Sequence, residues 1–231
     1  TGRKPVGKPT EFDTFAHEYD SMLRDSLGAL GNESDYFASH KTRFVSKLLK
    51  HLKRPKVLDF GCGVGKLSSS IQSEITNTTI HGYDVSAESL GQLAPELAAR
   101  GIFTSNLDQL DSDYDLIIVA NVLHHVPLEN RLGLLQEAAS RLASDGRLIV
   151  FEHNPANPLT RRVVERCAFD RDAILLKPEE TKRYFELMQL LEVRRDYILF
   201  FPPALKALSM LEAYLGWCRL GAQYAVVGRR G

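Results

Sequence analysis

Two periods of apolar residues divide this chain. Up to about residue 53 they recur at helical spacing: Phe12, Phe15, Tyr19, Met22 and Leu23 share one face, and Phe37, Phe44, Val45, Leu48 and Leu49 share another. Residues 28–34 separate the two helices so predicted. Beyond Pro55 short apolar runs alternate with helical stretches. Residues 56–60, 79–83, 102–105, 115–120 and 147–152 read as strands, the third of them weak. Residues from 66 to 73, 86–100 and 129–142 read as the helices between them, with Ser86 as an N-cap. Strands that are apolar throughout, alternating with helices, predict a parallel sheet covered on both faces.

After Glu152 the rhythm changes. His153-Asn154-Pro155-Ala156-Asn157-Pro158 reads as a loop, and Asn157-Pro158 suits the N-cap and first position of a helix. Residues 177–191 form a further helix, 194–201 a strand, 204–220 a helix and 223–228 a last strand. The final two strands are expected to close the sheet as an antiparallel pair. The fold expected is α/β and Rossmann-like, a seven-stranded mostly parallel sheet with a helical N-terminal lid and an insertion after strand five. It is read as one domain, 1–231: lid 1–54, core 55–152, and 153–231 as substrate-side insertion and final strands. The stripe of Leu205, Leu208, Met210, Leu211, Tyr214, Leu215 and Trp217 reads first as core packing against the sheet. Its second reading is an apolar wall for a substrate or a homodimer face.

Composition narrows the class. At 231 residues, with 44% hydrophobic and 25% charged residues, the chain has the makeup of a globular protein with a sizeable core. Lys+Arg and Asp+Glu are both 29, so no net charge draws it to nucleic acid or anionic lipid. Cys62, Cys167 and Cys218 form no paired or metal-binding spacing and read as reduced thiols of a cytoplasmic protein. Residues 1–10 carry no signal-peptide pattern, and no segment reads as a membrane span.

The candidate chemistry sits on Asp59-Phe60-Gly61-Cys62-Gly63-Val64-Gly65. An apolar strand ends in an acid, and three alternate glycines let the backbone turn sharply and approach a ligand. Asp84 ends the next strand, 19 residues beyond Gly65, at the reach of a carboxylate on ribose hydroxyls. Dehydrogenases use a related glycine turn, and glycines also serve close helix–strand packing, so the turn alone decides nothing.

The combination does more. Asp59-x-Gly61-x-Gly63-x-Gly65, Asp84, Tyr114-Asp115-Leu116-Ile117-Ile118, Asn121-Val122-Leu123-His124-His125-Val126 and Leu142-x-x-x-Gly146-Arg147-Leu148 resemble the ordered motifs of class I S-adenosylmethionine-dependent methyltransferases. Phe15-Ala16-x-x-Tyr19-Asp20 resembles the lid helix of the small-molecule type. The resemblance covers residues 56–152 and implies S-adenosylmethionine as cofactor, leaving as S-adenosylhomocysteine. Gly61, Cys62, Gly63 and Gly65 would hold its methionine part, Asp59 its amino group, Asp84 both ribose hydroxyls, and Val85 the adenine face. Asn106, where the family often has Asp, would take the adenine amine beside Leu107, with Asp108 as the alternative, and Asn121 would border the cofactor. Cys62 stands where the family has a small residue, so no redox role is assigned to it.

Methyl transfer to a hydroxyl calls for a proton acceptor, and histidine fits near neutral pH. His124 is the first candidate and His125 the second, with Tyr19 as lid partner and His153 facing the same cleft; the plainer alternative is packing at a helix start. Tyr36, Asn154 and Arg161 are expected on the acceptor side. For Asn154 the alternative is a turn cap, and for Arg161 a solvated face. No metal is expected, since the sequence shows no carboxylate-rich cluster near strands four and five. The function expected is methyl transfer to oxygen or nitrogen of a small molecule in biosynthesis, without nucleic acid. The rivals are a nucleic-acid or protein methyltransferase, a non-methylating binder of the same cofactor (sensor, cyclase or decarboxylase) and a nicotinamide-dependent oxidoreductase.

Overall fold

The computed structural model describes residues 34–167, 170 and 173–231. Tyr19 and the first predicted helix lie outside the described residues. The seven strands are β1 Lys56–Phe60, β2 Thr79–Tyr83, β3 Phe103–Thr104, β4 Tyr114–Ala120, β5 Leu142–His153, β6 Leu191–Ile198 and β7 Gln223–Arg229. They form one sheet in the order β3-β2-β1-β4-β5-β7-β6. β1 pairs in parallel with β2 and β4, β2 with β3, and β4 with β5. β7 is antiparallel to both neighbours. The chain runs outward from β1 to β3 and returns to β4, which opens a crevice at the carboxyl ends of β1 and β4.

Alternation along the strands feeds two core layers. Leu58, Ile117, Leu148, Val150 and Val226 face one side, with Leu135 and Phe185 from the helices that cover it. Val57, Leu116, Ile118, Ile149 and Phe151 face the other, with Val45, Leu49 and Ile71. The covering helices are α1 Ser34–Leu49, α2 Lys66–Glu74, α5 Leu128–Ala139 and α7 Pro178–Leu187; between them lie the short α3 Ala87–Leu90 and α4 Pro95–Ala98, and α6 Pro158–Arg166. Burying both sheet faces is what the continuous apolar strands require.

The structure departs from the expected elements in three places. The helix read over 86–100 is two: Ser86 caps the first, its hydroxyl accepting from Ser89 N, and Pro95 starts the second after the break at Gly91. The fifth strand begins at Leu142, because residues read as helix end pair instead with Tyr114. The segment 204–220 is no core helix. Pro203–Tyr214 is a 3-10 run interrupted at Leu205, and Met210, Tyr214 and Trp217 are about four-fifths exposed (82%, 77% and 76%). Its anchor is polar: the buried Glu212 carboxylate accepts from the N–H groups of Leu199, Phe200 and Phe201 and pairs with His40 Nε2 at 2.5 Å.

Candidate active site

The β1–α2 turn is built on three left-handed glycines, Gly61, Gly63 and Gly65, at φ +88°, +52° and +77°. Gly61 N and Cys62 N both donate to Tyr83 O, at 2.7 and 3.0 Å, tying the turn to the end of β2. A Cβ on Gly61 would stand 2.4 Å from Val122, whereas one on Gly63 meets nothing within 4 Å. Gly63 therefore presents bare backbone to the crevice it lines.

Asp84 follows β2 and reaches back over this turn. Its Oδ2 accepts from Gly63 N at 2.7 Å and its Oδ1 from Ser86 N at 2.9 Å. These two bonds fix the orientation of the carboxylate above the turn. Asp59 is buried at the end of β1, and Ser68 Oγ donates to its Oδ2 at 2.7 Å. Burial pushes its carboxyl up to about 6, against the Ser68 hydrogen bond and with help from Asp84. Both acids line the crevice, as do Cys62, Val85 and Asn121, the last at φ +56°.

The opposite wall carries the histidines. A 3-10 turn after β4, Leu123–His125, sets His124 and His125 with ring centroids 4.1 Å apart, and His153 at the end of β5 stands 5.2 Å from His124. Glu152, fully buried, accepts from Leu123 N at 2.7 Å and holds His124 Nδ1 at 2.5 Å. On the other side Asp170 Oδ1 lies 3.5 Å from His124 Nε2 and 3.4 Å from His125 Nε2. Burial alone would lower His124, but the charges and hydrogen bonds of Glu152 and Asp170 raise it to about 9. His153 goes the other way: burial, then the neighbouring His124, push it down to about 4. Burial also lowers His125. The carboxylates beside His124 thus favour its charged form, and burial favours the neutral form of His153.

Ile174 is fastened to this wall by a side chain that sequence reasoning missed. Arg131, buried on α5, donates to Val126 O at 2.9 Å and Ile174 O at 2.8 Å and pairs with Glu180 at 3.0 Å. Ile174 N donates to His124 O at 2.8 Å. Glu152 and Lys41 were also missed. Glu152 carries the signal that marked Asp59, an acid ending an apolar strand. Lys41 lies on the apolar helical spacing of Phe37, Val45 and Leu48; it is buried in the crevice wall, and burial lowers it to about 8 against the pull of Glu152 and Asp59. Asp170 has no such signal, since only the tertiary fold brings it to the histidines. This group also departs from the expectation of no metal: donor atoms of His124, His125 and Asp170 all lie within 4.8 Å of one another.

Other expected residues sit elsewhere. Asn106 Oδ1 accepts from Asp108 N at 3.0 Å as the cap of a short 3-10 turn, and Leu107 packs on the core; neither lines the crevice. Asn154 is completely buried, donating to Arg219 O and Gly221 O at 2.9 and 2.7 Å while its Oδ1 takes Ala156 N, so it is the turn cap of the two readings. Arg161 stands on the exposed side of α6, away from the crevice lining. Tyr36 donates to Phe201 O at 3.0 Å, one shell behind that lining.

The crevice encloses about 430 Å³ and is walled mainly by apolar groups, among them Phe37, Phe60, Val122, Leu134, Leu159 and Phe200. Glycine turn and acids at one end and titratable groups at the other thus face one crevice at the carboxyl edge of a sheet of order 3-2-1-4-5-7-6, where open α/β sheets place ligands. Comparison with known proteins points to methyltransferases. Residues 58–148 match the family model described as a methyltransferase domain. Among curated relatives, the magnesium-protoporphyrin O-methyltransferase of Synechocystis sp. is 36% identical over 101 residues, 41% of this chain and 42% of that protein. Ribosomal RNA small subunit methyltransferase C of Pseudomonas entomophila is 26% identical over 183 residues, 73% of this chain and 54% of that protein. The chain thus spans about half the length of the curated relatives it matches. Among solved structures, a SAM-dependent methyltransferase from Archaeoglobus fulgidus superposes with a TM-score of 0.67 at 15% identity, covering 92% of this chain and 99% of that one. Magnesium protoporphyrin IX methyltransferase of Synechocystis with bound S-adenosylhomocysteine gives 0.63 at 20% identity, covering 95% and 97%. At these identities the solved structures establish the fold. The fold is that of the S-adenosylmethionine-dependent methyltransferases, and segment 58–148 matches a methyltransferase domain.

Proposed function

We propose that this chain transfers a methyl group from S-adenosylmethionine to a hydroxyl oxygen of a small, partly apolar acceptor. The observation that carries this reading is the convergence of two sets of groups on one apolar crevice: the Asp59/Asp84 carboxylates with the glycine turn, and the histidines after β4 and β5. The fit to the cofactor is good. The oriented Asp84 carboxylate lines the crevice and suits a vicinal diol, Gly63 lets a ligand approach the backbone, and the Asp59 carboxylate suits an ammonium group.

S-adenosylmethionine supplies an electrophilic methyl on a sulfonium sulfur. The protein's part is to align the acceptor and exclude water, which the apolar walls serve. His153, which lines the crevice with no carboxylate within 4.0 Å among the described residues, would take up the proton that the acceptor hydroxyl gives up on methylation. His124, gripped by Glu152 and facing Asp170, acts in this reading as a positioning group and not as the base.

The test is a His153→Ala variant assayed with S-adenosylmethionine and a panel of hydroxylated compounds. Turnover should fall about 100-fold or more with cofactor affinity unchanged; unaltered turnover would remove His153 from the chemistry. Relatives named for ribosomal RNA support a second reading, an RNA acceptor, which tight RNA binding at physiological salt would favour. Zero net charge and an Asn121-Val122-Leu123-His124 sequence, in place of the Asn/Asp-Pro-Pro-Tyr/Phe tetrad of many base-methylating enzymes, favour the small molecule. For a homodimer, the second reading of the 204–220 stripe, the face on offer is the exposed apolar side of residues 203–220, and sedimentation of the full chain tests it. No helix among the described residues is long and apolar enough to cross a membrane.

A further inference from the structure

The geometry points to a binding site for one divalent first-row transition-metal ion, formed by His124, His125 and Asp170 on the acceptor side of the crevice. Three donor atoms from two separate segments converge there: the Nε2 atoms of the two histidines stand 3.5 and 3.4 Å from Asp170 Oδ1, and donor atoms of all three residues lie within 4.8 Å of one another. As hydrogen bonds the two Asp170 contacts are stretched. A charge-assisted N–H···O bond draws its atoms to about 2.7–2.9 Å, as happens on the other side of the same ring, where Glu152 closes on His124 Nδ1 at 2.5 Å. Both Asp170 contacts stay longer than that. Ligand atoms about 2.0–2.1 Å from a tetrahedral ion lie about 3.4 Å apart, the separation found here. A proton joins two atoms; a metal ion serves three.

The surroundings are those of a metal ligand set. Glu152 on His124 Nδ1 fixes the tautomer that directs Nε2 toward Asp170, the carboxylate–histidine arrangement that orients ligands from behind. Asp170 is held independently of the histidines, its N–H donating to Cys167 O at 3.1 Å and its carbonyl accepting from Ala173 N at 3.0 Å. The bond from Ile174 N to His124 O, with Arg131 behind it, locks the two segments in register. The site is buried to half-buried, unlike a solvated acidic cluster. Two imidazoles and one carboxylate select zinc, manganese, iron or cobalt over magnesium or calcium, and three protein ligands leave a position open. All three residues line the crevice, so that position faces the acceptor. Resting on the methyl-transfer reading, we assign the open position to the acceptor oxygen, whose proton a bound cation loosens.

The experiment is calorimetric titration of the chelator-treated full chain with Zn²⁺, with Mg²⁺ as control, and Co²⁺ titration followed by its visible ligand-field absorption. Expected are one Zn²⁺ per chain, no Mg²⁺ binding, and a Co²⁺ spectrum of low coordination number. Asp170→Ala and His125→Ala, both at half-buried positions, should each weaken Zn²⁺ by about 100-fold, and Glu152→Gln by about 10-fold or more. S-adenosylhomocysteine, titrated into the same samples, should bind the variants as it binds the parent. Absence of Zn²⁺ binding, or binding that Asp170→Ala leaves intact in a folded protein, overturns the site. Loss of S-adenosylhomocysteine binding with Zn²⁺ binding kept would overturn the cofactor reading instead.

Discussion

Single atoms separate the roles of the glycines. At Gly61 a methyl group would collide with Val122 at 2.4 Å and adopt φ +88°. Gly61→Ala should therefore cost about 3 kcal/mol, a fall in melting temperature of about 6–12 °C. At Gly63 the same methyl meets no protein atom, so Gly63→Ala should cost only about 1 kcal/mol of left-handed strain and express itself as lost cofactor affinity. Calorimetric melts beside binding titrations separate the two. Asp84→Ala should weaken cofactor binding by about tenfold or more, about 1.4 kcal/mol, with little change in melting. Asp59 carries a pH dependence. Its carboxyl is raised by burial from 3.8 to about 6, and an ammonium ligand wants it ionised, so affinity should be full above pH 6 and fall as pH drops through it. The effect on stability has the opposite sign: the fold prefers the protonated form, so this group's contribution declines as pH rises from 3.8 to 6 and is flat above. In Asp59→Asn both slopes vanish. At this scale Asp59, Asp84 and the glycines were legible because strand ends and turns announce themselves in sequence. Asp170 was not, since its partners lie 45 and more residues away.

At the scale of elements, buried polar side chains decide where the irregular segments go. Asn154 binds two carbonyls and one N–H around the entry to β7, so Asn154→Ala should lower stability by about 2–3 kcal/mol and leave KM for the acceptor unchanged. A raised KM in a stably folded variant would restore it to the acceptor site. Glu212 does the same for Leu199–Phe201 and clamps them to α1 through His40. The strands were legible from their apolar runs, four of the first five to within two residues at each end apart from the longer start of β5. The 204–220 stripe misled because periodicity reports an apolar face without saying what covers it. A buried glutamate outweighed that face in placing the segment.

For the whole molecule, the sheet order puts both halves of the site at one edge by topology alone. β1 and β2 deliver the cofactor-side acids, β4 and β5 deliver the histidines, and the return from β3 to β4 opens the gap between them. Alternating strands and helices made that much legible from sequence; the rest of the crevice wall was not, because Phe37 and Lys41 of α1, Cys167, Asp170 and Phe200 reach it from segments that share no motif. The central claim is that this crevice holds S-adenosylmethionine. The most direct measurement is parallel calorimetric titration of the full chain with S-adenosylmethionine, S-adenosylhomocysteine and NADH. Binding of the first two in a one-to-one ratio, lost in Asp84→Ala, is the predicted result. Binding of NADH alone, or of none of the three, would contradict it.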